Sequence, residues 1–161
     1  MRRRIQEITD PIELDDVLSS AKICRVAMMD GDKPYIIPFN YGYKDKSIYI
    51  HCALQGKKLD LLNNHHHVCF EVEDSVKVIK EKELGRCSTR YRSIIGYGDV
   101  EIIMDDHERM NEALKILMGQ HDWGSPVDYG LESVKRLVIL KLKITEMTGK
   151  RSSNWNKTSE H

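Results

Sequence analysis

Gly56, Lys57 and Lys58 lie where a predicted strand gives way to a predicted helix, and these residue types suit the binding of an anion. The first turn of a helix exposes unpaired backbone N–H groups and carries partial positive charge, so a cation there is unfavourable unless an anion is present. Glycine lets the backbone approach a ligand closely, and lysine adds a mobile charge. The pattern predicts a phosphate site. A solvated pair of surface lysines is the alternative.

The cysteines and the histidine triplet do not indicate a redox or metal site. The four cysteines, at positions 24, 52, 69 and 87, form no C-x-x-C pair and lie in apolar surroundings, which is typical of reduced structural cysteines. Adjacent side chains do not share one metal ion comfortably, so the run from His65 to His67 predicts a turn. We expect no metal site.

The length and net charge of the chain exclude several classes of protein. The 161 residues suit one domain, and 25 basic side chains balance 25 acidic ones. A net charge of zero removes the attraction on which general nucleic-acid binding depends, and three arginines at positions 2–4 add little. No apolar run is long enough for a membrane span, and the polar residues after Arg4 do not resemble a signal peptide. We expect a cytoplasmic protein without nucleic-acid or membrane partners.

The first half of the chain predicts a helix followed by three strands. Asp10, Pro11 and Glu13 indicate a capped helix start with a capping box. Strands at 23–29 and 34–41 form a hairpin, and the prolines of the second strand place it at a sheet edge. A third strand follows at 47–52.

The second half adds further strands and two helices. A short helix begins at Lys57 and ends near Asn64, and another begins after Asp105 with an acidic cap. Gly96 and Gly98 predict a bend or a close approach of another group within one long strand. Strands are predicted at 68–72, 91–103 and 137–144; 73–86 is an edge strand or a long loop, 119–130 a loop, and 148–161 disordered. This order favours a small antiparallel barrel with flanking helices.

Four sequence blocks in series resemble the Nim-type branch of the pyridoxamine-phosphate-oxidase-like flavin-binding split barrels, often described as 5-nitroimidazole resistance proteins. The blocks are YIIPFNY at 35–41, IYIHCALQGKK at 48–58, STRYRSIIGYG at 88–98 and EMTGK at 146–150. The resemblance covers residues 1–150 as a single domain and leaves 151–161 as a polar tail. It implies a mainly β fold, a six-stranded antiparallel split β-barrel, with flanking helices.

The resemblance also implies a homodimer that holds flavin non-covalently at the subunit interface, as FMN or alternatively FAD. Gly56, Lys57 and Lys58 would hold the phosphate, and the backbone of residues 38–40 would line the isoalloxazine edge. The full set of implied cofactor-binding residues is Pro38, Phe39, Asn40, His51, Ala53, Leu54, Gly56, Lys57, Lys58, Arg92, Ser93, Ile94 and, from the other subunit, Trp123.

Several of these residues could instead have a purely structural role. His51 contacts the flavin or makes a hydrogen bond at the barrel rim, and Trp123 stacks on the ring or covers a core. Arg92, with Arg90, binds phosphate or pairs with Glu71 and Glu101. Asn40 is expected as a buried amide that meets the flavin pyrimidine edge.

The implied function is that of an oxidoreductase that reduces a small acceptor, such as a nitro-aromatic compound, with electrons from NAD(P)H. No G-x-G-x-x-G motif is present, so the nicotinamide would bind transiently. His51 is the candidate catalytic residue, and His51, Lys57 and Arg92 are candidates to stabilise the reduced ring. The tail contains few basic residues that could bind a substrate phosphate, which disfavours pyridoxamine-phosphate oxidation. The alternative is a non-catalytic flavin- or haem-binding protein with His51 as a haem ligand.

Overall fold

Six long strands and two short ones form a single antiparallel sheet around the core of the molecule. The computed structural model describes residues 4–80, 87–123, 130, 134–153 and 155. After a short 3₁₀ turn, Arg4–Gln6, its strands are β1 (Glu7–Ile8), β2 (Ile23–Asp30), β3 (Lys33–Asn40), β4 (Gly42–Lys44), β5 (Ser47–Ala53), β6 (His67–Lys80), β7 (Cys87–Ile103) and β8 (Leu137–Arg151). Its α-helices are α1 (Pro11–Ser20), α2 (Lys57–Asn64) and α3 (His107–His121).

The sheet runs in the order β3-β2-β6-β7-β8-β5-β4, and β1 pairs with β8. Phe39 of β3 and Ile50 of β5 line the same small internal void, so the two halves of the sheet curl toward each other. The enclosed core includes Phe70 and Ile94, which have no exposed surface. The predicted class, mainly β with an antiparallel split barrel and flanking helices, is confirmed. Six strands were expected and eight are present, because β1 and β4, of two and three residues, add short pairings.

The position of β3 confirms the expectation drawn from its prolines. It pairs with β2 from Lys33↔Asp30 to Asn40↔Ile23 and lies at one end of the sheet order. Pro34 and Pro38 lack a backbone N–H, which an internal strand would need on both sides. One side of the β3 backbone is therefore left for contacts outside the sheet.

Three predicted boundaries are corrected. β6 continues to Lys80 as a hairpin arm with β7, which makes 73–80 a strand, while 81–86 lie outside the described residues. β8 continues to Arg151 because β7 and β1 pair with it there, so residues 148–151 are ordered strand and not a disordered tail. α3 continues to His121 before Asp122 ends it in a left-handed conformation, so the predicted loop begins later. Positions 1–3, 124–129, 131–133, 154 and 156–161 also lie outside the described part of the chain.

Two of the three α-helices have an acidic N-cap. Asp10 accepts a hydrogen bond from the Ile12 N–H at 3.0 Å, and Asp106 accepts one from the Arg109 N–H at 3.1 Å. The cap at Asp10 was predicted, and the acidic start predicted for α3 is confirmed with Asp106 as its cap. The expected capping box at Glu13 is wrong, because the Glu13 carboxylate pairs with Arg151 at the end of β8. Among the described helices none is long and apolar enough to cross a membrane.

The glycines of β7 allow the close approach that their positions predicted. A Cβ atom at Gly98 would lie 2.3 Å from the Lys143 carbonyl oxygen, and one at Gly96 would lie 2.6 Å from the Phe70 ring. The register between β7 and β8 shifts between Tyr97 and Gly98. Glycine therefore permits the bulge that bends the longest strand around the core.

Gly98→Ala is expected to lower the free energy of unfolding by about 1–3 kcal/mol, because the new methyl group meets a backbone carbonyl that cannot move freely. Urea denaturation measures the change. Gly119→Ala is the matched control, since no atom lies within 4 Å of its added Cβ and alanine favours helix. Equal stability of the Gly98→Ala and wild-type proteins would contradict the close contact.

Candidate functional site

The start of α2 is built differently from the other helix starts. Gly56 is its N-cap, with φ 131° and ψ 160°, and no side chain accepts a hydrogen bond from the first turn. A residue with a side chain rarely adopts such a positive φ, so glycine is required here by conformation. The Leu59 N–H donates to the Gly56 carbonyl at 2.8 Å. The helix start is thus left without the acidic cap that α1 and α3 have.

Lys57 is held by a carboxylate of its own chain. Its ammonium pairs with Asp30 at the end of β2 and lies 5.1 Å from the centroid of the Tyr35 ring on β3. The hydrogen bond that Lys57 donates to Asp30 raises the pKa of Lys57. Both partners are partly exposed, so the pair is a surface ion pair that joins α2 to the β2–β3 hairpin. No local sequence signal indicates this contact, because Asp30 lies 27 residues from Lys57 in the chain.

Lys58 is half-buried, and within the described ranges its ammonium has no hydrogen-bond or ion-pair partner. Its Nζ lies 3.6 Å from the point that a Cβ on Gly56 would occupy, so it extends back over the helix start. Burial raises the pKa of the nearby Cys52 thiol, and the positive charge of Lys58 opposes that rise. The cation, the glycine and the uncapped N–H groups together form a donor set that fits a phosphate.

β3 has a free backbone edge, and the side-chain amide of Asn40 at its end is exposed. Phe39 points inward and packs against the core, while Pro38 and Asn40 are exposed. The expectation of a buried Asn40 is wrong, because Asn40 ends the edge strand and pairs only with Ile23. A planar ligand at this edge would meet the backbone of Phe39 and the outward side chains of its neighbours.

His51 and Ala53 point outward from β5 and are exposed, as is Leu54 just beyond the strand. Cys52 lies between them and points toward the core. Among the described residues the His51 imidazole has no hydrogen-bond partner, so the expected rim hydrogen bond is not formed with them. His51 is accessible to a ligand on the outer face of the sheet.

Arg92 is buried in an ion-pair cluster at the other end of the barrel. Its guanidinium lies 2.6 Å from Asp16 of α1, also pairs with Asp74 of β6, and stands 4.7 Å over the Trp155 ring. Pairing with Glu71 and Glu101, which the sequence offered as an alternative to phosphate binding, is therefore wrong for Arg92. Those carboxylates bind other arginines: Glu71 lies 3.0 Å from Arg25, and Glu101 lies 2.7 Å from Arg109.

The structure separates the predicted site residues into two groups within one chain. Ile94 is fully buried in the core and Ser93 is half-buried beside it, so both lie near Arg92. Ile102, farther along β7, lies beside the α2 start. About ten strand residues separate Arg92 from Ile102, which corresponds to about 30 Å along the strand. Trp123 is half-exposed and stacks on His121 with ring centroids 4.4 Å apart. The roles of these residues in cofactor binding stay predictions.

The fold defines a split-barrel protein, and the α2 start lacks a side-chain cap. Residues 10–151 match the family model described as pyridoxamine 5'-phosphate oxidase, and the chain belongs to that family. The family resemblance inferred from the sequence blocks is confirmed. No curated protein matches this chain significantly.

Solved structures share this fold. A protein of Bacteroides thetaiotaomicron, provisionally described as a 5-nitroimidazole antibiotic resistance protein, is 27% identical with a TM-score of 0.79 over 90% of this chain and 86% of its own. The FAD and heme binding protein of Mycobacterium smegmatis is 21% identical, with a TM-score of 0.76 over 93% and 75%. A FAD-binding protein of Mesorhizobium loti is 24% identical, with a TM-score of 0.65 over 89% and 96%.

Proposed function

We propose that the protein is a cytoplasmic flavin-dependent oxidoreductase that reduces a small acceptor, such as a nitro-aromatic compound, with electrons from NAD(P)H. The observation that carries the proposal is the ammonium of the half-buried residue Lys58, which has no partner in the described structure and extends back over an uncapped helix start. The family assignment and the neighbours named for FAD binding support flavin as the source of the phosphate. The neighbour named for nitroimidazole resistance supports the acceptor class.

The FMN moiety, which FMN and FAD share, is the group that these residues would hold. Lys58 and the first backbone N–H groups of α2 would bind its phosphate, and the backbone of β3 would border its ring. When bound, the flavin supplies the transfer of electrons between a nicotinamide donor and the acceptor. His51 is exposed on β5, and we assign it the role of donating or accepting a proton at a bound acceptor.

The visible spectrum of the purified protein tests the proposal. We expect flavin absorption in the blue and near ultraviolet, and bleaching within seconds when NADH or NADPH is mixed with the protein without oxygen. A protein that carries flavin but is not bleached by either nucleotide alone, and that oxidises neither nucleotide when a nitro-aromatic acceptor is added, would contradict the enzymatic function. A protein that binds no added flavin would contradict the proposal as a whole.

A non-catalytic flavin- or haem-binding protein is the second candidate, and the observation that favours it is the accessible imidazole of His51. The name of the Mycobacterium smegmatis neighbour includes both groups. A neutral imidazole is a common ligand of haem iron. A sharp Soret band after addition of haem, lost in His51→Ala, would support this candidate.

The outer face of the β3-β2-β6-β7 region supports a homodimer. Ile36 is 60% exposed, Ile95 50% and Tyr97 42%, although all three are large apolar side chains. Ala27 and Cys69 connect Ile36 to Tyr97 through the strand register. An apolar face of this kind on a globular domain is typical of an interface. A second copy would also bring another set of β7 residues toward the α2 start.

Ile95→Arg is expected to convert a dimer into a monomer, because the substitution would bury a further charge in the interface, beside the Arg25–Glu71 ion pair. Light scattering coupled to size-exclusion chromatography measures the molar mass. Ile12→Arg is the matched control, since Ile12 is 78% exposed on α1, away from this face. Wild-type protein that elutes as a monomer, or an Ile95→Arg dimer as stable as wild type, would contradict the interface.

A further inference from the structure

The two lysines at the start of α2 have different surroundings. Lys57 pairs with the Asp30 carboxylate at the end of β2, and its ammonium lies 5.1 Å from the centroid of the Tyr35 ring on β3. Lys58 has neither kind of contact within the described residues, and its ammonium extends back over Gly56. The sequence places both lysines in one motif, but the described contacts leave only Lys58 available to an anion.

Helix electrostatics explain why Lys57 is paired with a carboxylate. Lys57 is the first residue of α2, where the unpaired N–H groups carry partial positive charge and a cation is unfavourable. Asp10 and Asp106 place a carboxylate at the starts of α1 and α3, whereas the N-cap Gly56 has none. Asp30 supplies the missing anion from 27 residues away, and the hydrogen bond between the two side chains raises the pKa of Lys57.

The positive charge available at the helix start is smaller than the charge of a phosphate. A phosphate monoester carries about 1.5 to 2 negative charges near pH 7, whereas Lys58 supplies one positive charge. The charge of Lys57 is already balanced by Asp30. Asp60, in the first turn of α2, forms no ion pair with either lysine in the described part of the chain. A second available cation would therefore strengthen the binding of a phosphate.

We propose that Asp30 is a positioning residue that holds Lys57 against the β2–β3 hairpin and keeps its ammonium away from the phosphate site. The inference rests on the proposed function, because it takes a flavin phosphate to lie at Gly56 and Lys58. Loss of the Asp30 carboxylate releases the flexible side chain of Lys57, which follows Gly56 directly and can turn toward the phosphate. The affinity for flavin then rises. Asp30 thus limits how tightly the protein holds its cofactor.

Titration of flavin-free protein with FMN, followed by quenching of flavin fluorescence, tests the inference. Asp30→Asn is expected to bind FMN about fivefold more tightly than the wild type, a factor that corresponds to one added ion pair at a partly exposed site. Lys57→Met is expected to bind FMN as the wild type does, because the Lys57 ammonium is held by Asp30. The double variant Asp30→Asn/Lys57→Met should also match the wild type, because Asp30 acts through Lys57.

Two control variants separate this role from a general change of charge. Asp32→Asn removes the same charge from the turn of the same hairpin, and Asp32 forms no ion pair within the described residues. Asp30→Glu keeps a carboxylate within reach of Lys57. Both variants are expected to bind FMN with the affinity of the wild type.

Unchanged or weaker FMN binding by Asp30→Asn would overturn the inference, and weaker binding by Lys57→Met would return Lys57 to the phosphate site. An equal gain in Asp30→Asn and in the double variant would overturn it as well, because the carboxylate would then act by direct repulsion. Each of these results leaves the proposed flavin function intact, since the wild type still binds FMN. If the wild type binds no flavin, the proposed function fails and the inference fails with it. Circular dichroism of each variant shows whether a loss of binding reflects a loss of fold.

Discussion

Lys58→Glu is expected to lower the affinity for flavin at least tenfold and to leave the fold intact. Lys58 is a half-buried residue at the uncapped start of α2, and no carboxylate of the described structure pairs with its ammonium. A tenfold change in affinity corresponds to about 1.4 kcal/mol, and a charge reversal beside a phosphate should exceed that value. Titration of flavin-free protein with FMN, followed by fluorescence quenching, measures the effect. FMN is the probe because its phosphate is the one assigned to Lys58.

Two further variants separate a specific contact from a general change of charge. Lys58→Arg keeps the cation and is expected to retain most of the affinity. Lys115→Glu makes the same charge reversal on the exposed side of α3 and is expected to bind FMN as the wild type does. Unchanged FMN binding by Lys58→Glu would remove Lys58 from the site. An equal loss in Lys115→Glu would show that only the net charge matters.

Arg92→Leu is expected to lower the free energy of unfolding by about 3–5 kcal/mol, because it leaves the buried Asp74 carboxylate without its partner. The Asp74 side chain is 3% exposed and that of Arg92 is 10% exposed, so water cannot replace the lost pair. Asp16 is 57% exposed and is affected much less. Urea denaturation followed by circular dichroism measures the difference.

The double variant Arg92→Leu/Asp74→Leu tests whether the unpaired Asp74 carboxylate causes the loss of stability in Arg92→Leu. Removal of both charges leaves no unpaired buried ion, so we expect the double variant to be more stable than Arg92→Leu alone. If Arg92 instead contributes to the cofactor site, the folded double variant should bind FMN more weakly than the wild type. A double variant no more stable than Arg92→Leu would contradict the ion-pair account.

Sequence patterns predicted the features that depend on neighbouring residues along the chain. The prolines of β3 indicated a sheet edge, and Gly96 and Gly98 indicated a close approach, because the missing N–H or side chain constrains the backbone directly. The caps at Asp10 and Asp106 were evident for the same reason. The order of the four sequence blocks was enough to identify the family.

The other features of the candidate site depend on contacts between residues that are distant in the sequence. Gly56, Lys57 and Lys58 form one motif, yet only the folded chain places Asp30, 27 residues away, against Lys57 and leaves Lys58 without such a partner. Acidic residues occur throughout the chain, and the packing of α1 places Asp16, 76 residues away, against Arg92. Met104 and Met110 lie six residues apart in the chain, and they line one cavity together with Leu54 and Leu137 from distant segments. Local sequence determines backbone conformation and the sign of charge, whereas charge pairing, burial and cavity shape depend on which distant segments the sheet brings together.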